Sequence, residues 1–401
     1  MYILAKCAKI PVQSIIYLRV RVDILSKERM YLDITVLWGE GMKQLMNELL
    51  LDAQKRKASD LHLTVGVPPK CRINGELVNM DYEVMVPSDL ESMVMSIVPQ
   101  RLVDGLNING EVDFSYSIKN VGRFRVNVFK QRGSYALVIR IIYTDIPTPQ
   151  ELGLPESVVE LAQKKRGLVL VSGPAGSGRT TTLASLINEI NTNYNRHIIT
   201  LEDPIEYLHR HNKSIVNQRE IGTDSLSYAN SLRVILREDP DVILIGEMKD
   251  YETIQIAISA AEMGHLVFST LHSLGTVNSV NRMIDVFPVA NQQQIRVQLA
   301  TVLEGVISQQ LIPTADGSGR VAAFEVLLSN PAIRSLIRES KIHQIETYLQ
   351  SSKKNGMKAM DDAIYELYLF GKITKEQALS FSLDVPAMEK RLFYFIKDDN
   401  L

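Results

Sequence analysis

The chain has 401 residues, 45% of them hydrophobic and 22% charged, with 22 Gly and 15 Pro. That length predicts two or three domains, each able to bury a core, and the composition excludes collagen-like, disordered and low-complexity classes. Lys plus Arg number 44 against 46 Asp plus Glu, so a net charge of −2 excludes the global positive field of a general nucleic-acid binder. Two cysteines, Cys7 and Cys71, exclude a disulfide scaffold and a zinc site of four Cys or Cys/His type. No uninterrupted apolar run approaches the ~18–20 residues that span a bilayer. Ile15–Leu25 is broken by Arg19, Arg21 and Asp23 and makes a poor signal-peptide core, so the expectation is a soluble, cytoplasmic protein.

Residues 1–41 carry β-branched runs (Ile15, Ile16, Val20, Val22) without a clear amphipathic helix. They read as an N-terminal extension or as a mis-assigned start before Met42. A patterned helix is expected from Met42, with Leu45, Leu49 and Ala53 at helical spacing. From Ser59 to Ile142 the pattern alternates: Leu61, Leu63 and Val65 form one set, Phe124, Val126 and Val128 a second, and Leu137, Ile139 and Ile141 a third. With helices near 42–57 and 87–98, this predicts an α+β domain over 42–142. A connector over 143–153, carrying Pro147 and Pro149, reads as a hinge linker.

The remainder changes style. Leu168–Val171, Ile198–Leu201, Val242–Ile245 and Leu266–Ser269 are short, nearly continuous apolar runs. Helices are expected over Thr180–Asn191, Leu226–Arg237 and Tyr251–Met263. The alternation implies an α/β domain over 154–392 with a parallel sheet covered on both faces. Its part after Gln292 is mostly helical, and the turn Thr314–Gly319 joins two strands. Residues 393–401 are a tail.

In an open α/β sheet ligands bind at the carboxyl ends of the strands, and each of the four runs ends in polar residues. The first ends in Ser172-Gly-Pro-Ala-Gly-Ser-Gly-Arg-Thr180. This is a phosphate loop of the form G-x-x-x-x-G-[basic]-[ST] between a strand and a helix. Gly173, Pro174, Ala175, Gly176, Ser177, Gly178, Arg179, Thr180 and Thr181 are the candidate nucleotide-binding residues. Thr180 offers its hydroxyl to Mg²⁺. Arg179 stands where the motif has lysine. Its planar fork is longer than the compact lysine ammonium, which predicts that nucleotide binding survives more readily than fast hydrolysis.

Glu247, after Val242-Ile-Leu-Ile-Gly246, is placed as general base for the attacking water. The preceding position, where many phosphate-loop enzymes hold a metal-binding Asp, is Gly246. Glu202, at the neighbouring strand end, is the candidate to share the metal and water duty. His265 and His272 bracket the fourth strand, and on spacing alone either is as readily a structural hydrogen-bonder. Arg123, Arg125, Arg132 and Arg140 fall in the strand-rich first domain. Alternating arginines form a solvated face or reach a nucleotide held by a neighbouring subunit.

Ile198-Ile-Thr-Leu-Glu-Asp-Pro-Ile-Glu206, Val216–Gly222, Leu236–Met248 and Gly264–His272 resemble the secretion ATPase superfamily, and within it the PilT-type retraction ATPases of type IV pili. The likeness covers roughly residues 42–392, including Ala58-Ser-Asp-Leu-His-Leu63 and Gly122-Arg-Phe-Arg-Val-Asn127. It implies a PAS-like first domain and a RecA-like second domain assembled as a hexameric ring that binds ATP and Mg²⁺. The family's Walker A motif then falls on Gly173–Thr180, its acidic box on Glu202 and Asp203, its Walker B glutamate on Glu247 and its histidine box on His265 and His272. Arg123, Arg125 and Arg140 would approach the phosphates. The retraction signature falls on Ala332-Ile-Arg-Ser-Leu-Ile-Arg-Glu339, with Ser335 in place of Asn. Read alone, that segment is an amphipathic helix with Arg334 and Arg338 on a solvated face.

The resemblance implies a motor that disassembles a pilus from the cytoplasmic side of the inner membrane. It would dock on a platform protein without inserting, act alone or beside a paralogous retraction ATPase, and bind no nucleic acid. A pilus-assembly or type II secretion ATPase usually carries a four-cysteine metal loop, which two cysteines cannot form. A weakly hydrolysing accessory subunit is the alternative motivated by Arg179.

Overall fold

The computed structural model describes residues 27–73, 75–119, 121–142, 145–351 and 356–398. The chain divides into two compact units, with the boundary between Ile141 and Ile142.

In the first unit, helix α1 runs from Lys27 to Lys55. The expectation that residues 1–41 lack a helix is corrected for 27–41; residues 1–26 lie outside the described residues. The stretch 27–41 contains no Pro and joins an amphipathic segment directly, so each added residue extends an existing nucleus for one hydrogen bond. Met42, Met46, Leu49, Leu50 and Ala53 form the buried stripe of α1. Helix α2 (Pro87–Ile97) buries Leu90, Met93, Val94 and Ile97, and α3 (Gln100–Asn109) ends on left-handed Gly110.

Six strands follow the order β3-β2-β1-β6-β5-β4, with β1 at Asp60–Leu63, β2 at Lys70–Ile73 and β3 at Glu76–Asn79. The longer β4, β5 and β6 span Glu111–Ile118, Gly122–Gln131 and Ser134–Ile142. Registers Leu61↔Cys71 and Leu61↔Ile139 put these three side chains on one face with Phe124, Val126 and Val128, all buried. The period of two then turns Arg123, Arg125 and Arg140 to the opposite face. The α2 helix and the alternating strands stand as the sequence predicts, except that Val65 falls in the turn after β1. The half-exposed strands β2 and β4, the fully exposed β3 and helix α3 do not emerge from the pattern.

The second unit is built on a seven-stranded sheet of order β13-β12-β7-β11-β10-β8-β9. Strands β7 (Gly167–Ser172), β8 (His197–Glu202), β9 (Ile215–Glu220), β10 (Val242–Ile245), β11 (Leu266–Leu271) and β12 (Leu303–Pro313) pair in parallel. Strand β13 (Arg320–Leu328) closes the edge antiparallel to β12. Every residue of β7, β10 and β11 is buried. Leu168 and Leu170 face one core and Val169 and Val171 the other, so the strand reads as a continuous apolar run. Each such side chain contributes about 1.5–3 kcal/mol on burial.

A short helix α4 (Glu156–Val159) and helix α5 (Arg179–Asn193) cover one face. Helices α6 (Tyr228–Ile235), α7 (Tyr251–Glu262), α8 (Thr276–Asp285), α9 (Val289–Val302) and α10 (Pro331–Arg338) cover the other. Helix α11 (Ile345–Ser351) adds Ile345 and Leu349 to that core. Helices α12 (Met360–Leu369), α13 (Lys375–Phe381) and α14 (Val385–Asp398) pack on Ile312 of β12 and Ala323 of β13.

The signature helix α10 departs from its expected solvated reading. Arg334 donates to the Ala300 carbonyl at 2.7 Å, to the Thr301 carbonyl, and to Glu304 Oε1 at 2.8 Å. The Ala300 and Thr301 carbonyls lie in the last turn of α9, where carbonyls lack intrahelical partners, so the guanidinium caps that helix end.

Candidate functional site

Because β7, β8, β10 and β11 run in parallel, their carboxyl ends meet at one sheet edge, where a cleft of about 220 Å³ opens. Arg179, Thr180, Glu202, Asp203, Gly246, Glu247, Thr270 and His272 line it. Most of the residues predicted from the four strand ends are therefore brought together.

Between β7 and α5 the backbone turns tightly. Gly173 has φ +148°, and a Cβ there would run into the Gln309 carbonyl oxygen and stand 2.6 Å from Ser177 Oγ. Gly178, at φ +88°, caps α5 in the left-handed region with Gln309 Nε2 close by. The first-turn N–H groups of α5 lack intrahelical partners, and the positive end of the helix dipole adds to them, which makes this turn an anion cradle. Buried Gln309 also accepts the Thr182 hydroxyl at 2.7 Å, fixing the first turn of α5 against β12. The signal for Gln309 was the polar triplet Ser308-Gln309-Gln310 inside an apolar strand.

Arg179 turns back on the loop. Its Nη1 donates to the Gly173 carbonyl and, at 3.1 Å, to the Leu271 carbonyl. Its Nη2 lies 3.2 Å from His272 Nε2. Burial lowers its pKa, opposed by the charges of Glu247 and Glu206. Glu247 is held at both oxygens, by His272 Nε2 at 3.0 Å and Lys249 Nζ at 3.1 Å. Glu202 is buried, and its Oε1 accepts from Thr200 Oγ1 at 2.7 Å and Gln218 Nε2 at 3.1 Å. Burial pushes the Glu202 carboxyl up, against the hydrogen bonds from Thr200, Gln218 and the Glu206 backbone that favour its charged form. Thr181 Oγ1 pairs with Tyr207 OH at 2.9 Å, tying α5 to the segment after β8.

One predicted residue, His265, lies away from the cleft. His265 precedes β11 and so sits at the opposite end of that strand from His272; its Nδ1 is 2.7 Å from the Pro240 carbonyl. Within this chain it is a structural hydrogen-bonder away from the cleft. Arg123, Arg125 and Arg140 belong to the first unit, where Arg125 pairs with Asp113 at 3.8 Å and Arg140 with Asp60 at 3.2 Å. Arg132 stands in the β5–β6 turn at φ +48°.

Among the described residues, no cluster of three or more His, Cys, Asp or Glu side chains is arranged for a metal ion. No helix among them is long and apolar enough to cross a membrane.

The profile of the family described as "Type II/IV secretion system protein" matches residues 39–373. The twitching motility protein of Neisseria gonorrhoeae is 46% identical over 310 residues, covering 77% of this chain and 83% of that protein. The type IV pilus retraction ATPase PilT of Pseudomonas aeruginosa is 41% identical over 333 residues, covering 83% and 96%. The crystal structure of the pilus retraction motor PilT with bound ADP superposes with a TM-score of 0.80 at 46% identity, covering 87% of this chain and 98% of that one. With a phosphate loop, two strand-end glutamates and a cleft histidine on a RecA-like sheet, the chain belongs to the type II/IV secretion system family, among its pilus retraction ATPases.

Proposed function

We propose that the chain is a motor that hydrolyses ATP to withdraw a type IV pilus, working as a homohexameric ring at the cytoplasmic face of the membrane that bears the pilus. The observation that carries this reading is the convergence of the phosphate loop, Glu202, Glu247 and His272 on one cleft.

The residues divide the work by position. The phosphate loop and the start of α5 hold the nucleotide phosphates with N–H groups, dipole and the Arg179 charge. Glu247, held by His272 and Lys249, takes up the proton of the attacking water. The oxygen donors Thr180 and Glu202 suit a hard cation that takes most of its ligands from phosphate and water. Thr180 and Glu202 would hold such an ion, Mg²⁺, which would supply charge neutralisation at the phosphates. Arg123, Arg125 and Arg140 supply further cationic charge to the nucleotide.

On this reading ATP binding and product release turn each subunit about the segment near 143–153, a hinge-type cycle. A platform protein in the membrane and a paralogous retraction ATPase are the partners, and the association with the membrane is peripheral.

The test is steady-state ATP hydrolysis by the purified full chain beside Glu247→Gln, with retraction scored in cells that carry each form. Hydrolysis and retraction lost together in Glu247→Gln support the motor. A chain that binds ATP yet hydrolyses none until Arg179→Lys is introduced overturns it in favour of an accessory subunit.

A further inference from the structure

Gly246 occupies the place before Glu247 where a side chain would project into the cleft. That space is taken: a Cβ on Gly246 would lie 3.1 Å from the Leu201 carbonyl oxygen, 3.1 Å from the Tyr228 hydroxyl and 3.3 Å from Glu202 Cα. Tyr228 is the first residue of α6, entered through Ser227, whose hydroxyl accepts the Asn230 N–H at 3.3 Å. The ring packs against the core beneath the sheet, and the hydroxyl end lines the same cleft as Glu202, Asp203 and Glu247. A tyrosine hydroxyl is an O–H donor at neutral pH, and this one shares the cleft wall with carboxylate acceptors.

We propose that Tyr228 is a positioning residue for hydrolysis, its hydroxyl filling the space left by the absent side chain at 246 and orienting the Glu202 and Glu247 carboxylates and the water they share. It lines the cleft from α6, a different element from the phosphate loop that holds the nucleotide. Its contribution falls on turnover and spares binding. Gly246 and Tyr228 form one device, because the missing Cβ is what admits the hydroxyl. The inference rests on the ATPase reading above and adds to it a group that neither the spacing of the motifs nor the comparisons single out.

The experiment measures kcat and KM for ATP, and the dissociation constant of a fluorescent ADP analogue, for the full chain, Tyr228→Phe, Glu247→Gln and the double variant. Phenylalanine keeps the packed ring and removes only the hydroxyl. The expected result is a kcat about tenfold lower in Tyr228→Phe with KM and the dissociation constant unchanged, and no further fall when Tyr228→Phe is added to Glu247→Gln. An unchanged kcat in Tyr228→Phe overturns the proposal and leaves the ATPase reading standing, as does a loss of affinity that matches the loss of rate. An unaltered chain without hydrolysis overturns both. If Tyr228→Phe does not fold, Gly246→Ala serves instead: its Cβ crowds the hydroxyl together with the Leu201 carbonyl and Glu202 Cα, and a fall in kcat with unchanged affinity is expected. Full kcat in Gly246→Ala would overturn the proposal.

Discussion

One nitrogen, His272 Nε2, lies 3.2 Å from Arg179 Nη2 and 3.0 Å from Glu247 Oε1. A neutral imidazole nitrogen either accepts a hydrogen bond or donates one. When Nε2 accepts from Arg179 its proton is on Nδ1 and the contact with Glu247 is unsupported; when it donates to Glu247, Arg179 faces an N–H. The guanidinium of the phosphate loop and the Glu247 carboxylate, the proposed general base, thus compete for one ring.

Arg179→Lys is expected to end that competition. A lysine ammonium has no fork to reach the Gly173 carbonyl, the Leu271 carbonyl and His272 together. The His272 ring then settles as the Nε2–H tautomer toward Glu247. Releasing one hydrogen bond of about 1 kcal/mol corresponds to roughly a fivefold rise in kcat. Steady-state kinetics with ¹⁵N NMR of the histidine ring check it; a lysine variant no faster than the parent, with an unmoved tautomer, would contradict the competition.

His272→Ala leaves Glu247 paired only with Lys249 at 3.1 Å. We expect kcat to fall on the order of 10²-fold, with little change in ATP affinity, since the phosphate loop is untouched. In a Glu247→Gln background the same substitution should cost almost nothing more, because residues acting as one unit are not additive. Additive losses would show that His272 works independently of Glu247.

Arg334→Ala tests the reassigned signature helix. It removes the cap on the Ala300 and Thr301 carbonyls and leaves Glu304 with Lys164 at 3.0 Å as partner. Loss of these partly buried, charge-assisted bonds should destabilise the second unit by about 1–3 kcal/mol in denaturant unfolding. Arg338→Ala is expected to stay within about 0.5 kcal/mol of the parent, as surface substitutions do. Equal effects at the two positions would restore the solvated reading of both.

His209 lines the cleft half-buried, and desolvation lowers its pKa from 6.5 to about 4. Its folded form is neutral, so below pH 6.5 the unfolded chain binds the extra proton. Stability is therefore full above pH 6.5 and declines as pH falls toward 4, by up to about 3 kcal/mol. The melting temperature of His209→Gln should vary less over that interval than that of the parent. Parallel profiles would show that His209 titrates alike in the folded and unfolded chain.

The central strands were legible because a parallel strand covered on both faces must be apolar at every position, as β7, β10 and β11 are. The phosphate loop was legible because glycines at Gly173 and Gly178 answer to backbone demands that no other residue meets. Edge and half-exposed strands escaped: β9 buries only Val216 and Glu220, and all of β3 is exposed. With one face open to water, little in the residue pattern separates such strands from loop.

The sequence by itself determined the strand-loop-helix cradle, the glutamates at the ends of β8 and β10, and the family, since each is a local pattern of neighbouring residues. Only the tertiary structure decided that Arg179 binds His272 and its own loop, that His265 is turned away from the cleft, that Arg334 is a partly buried cap, and that Tyr228 and Gln309 arrive at the site from α6 and β12. Those facts depend on which strands lie side by side. Pairing in the order β12-β7-β11-β10-β8 is set by burial of both sheet faces across the whole unit, and no local spacing carries it.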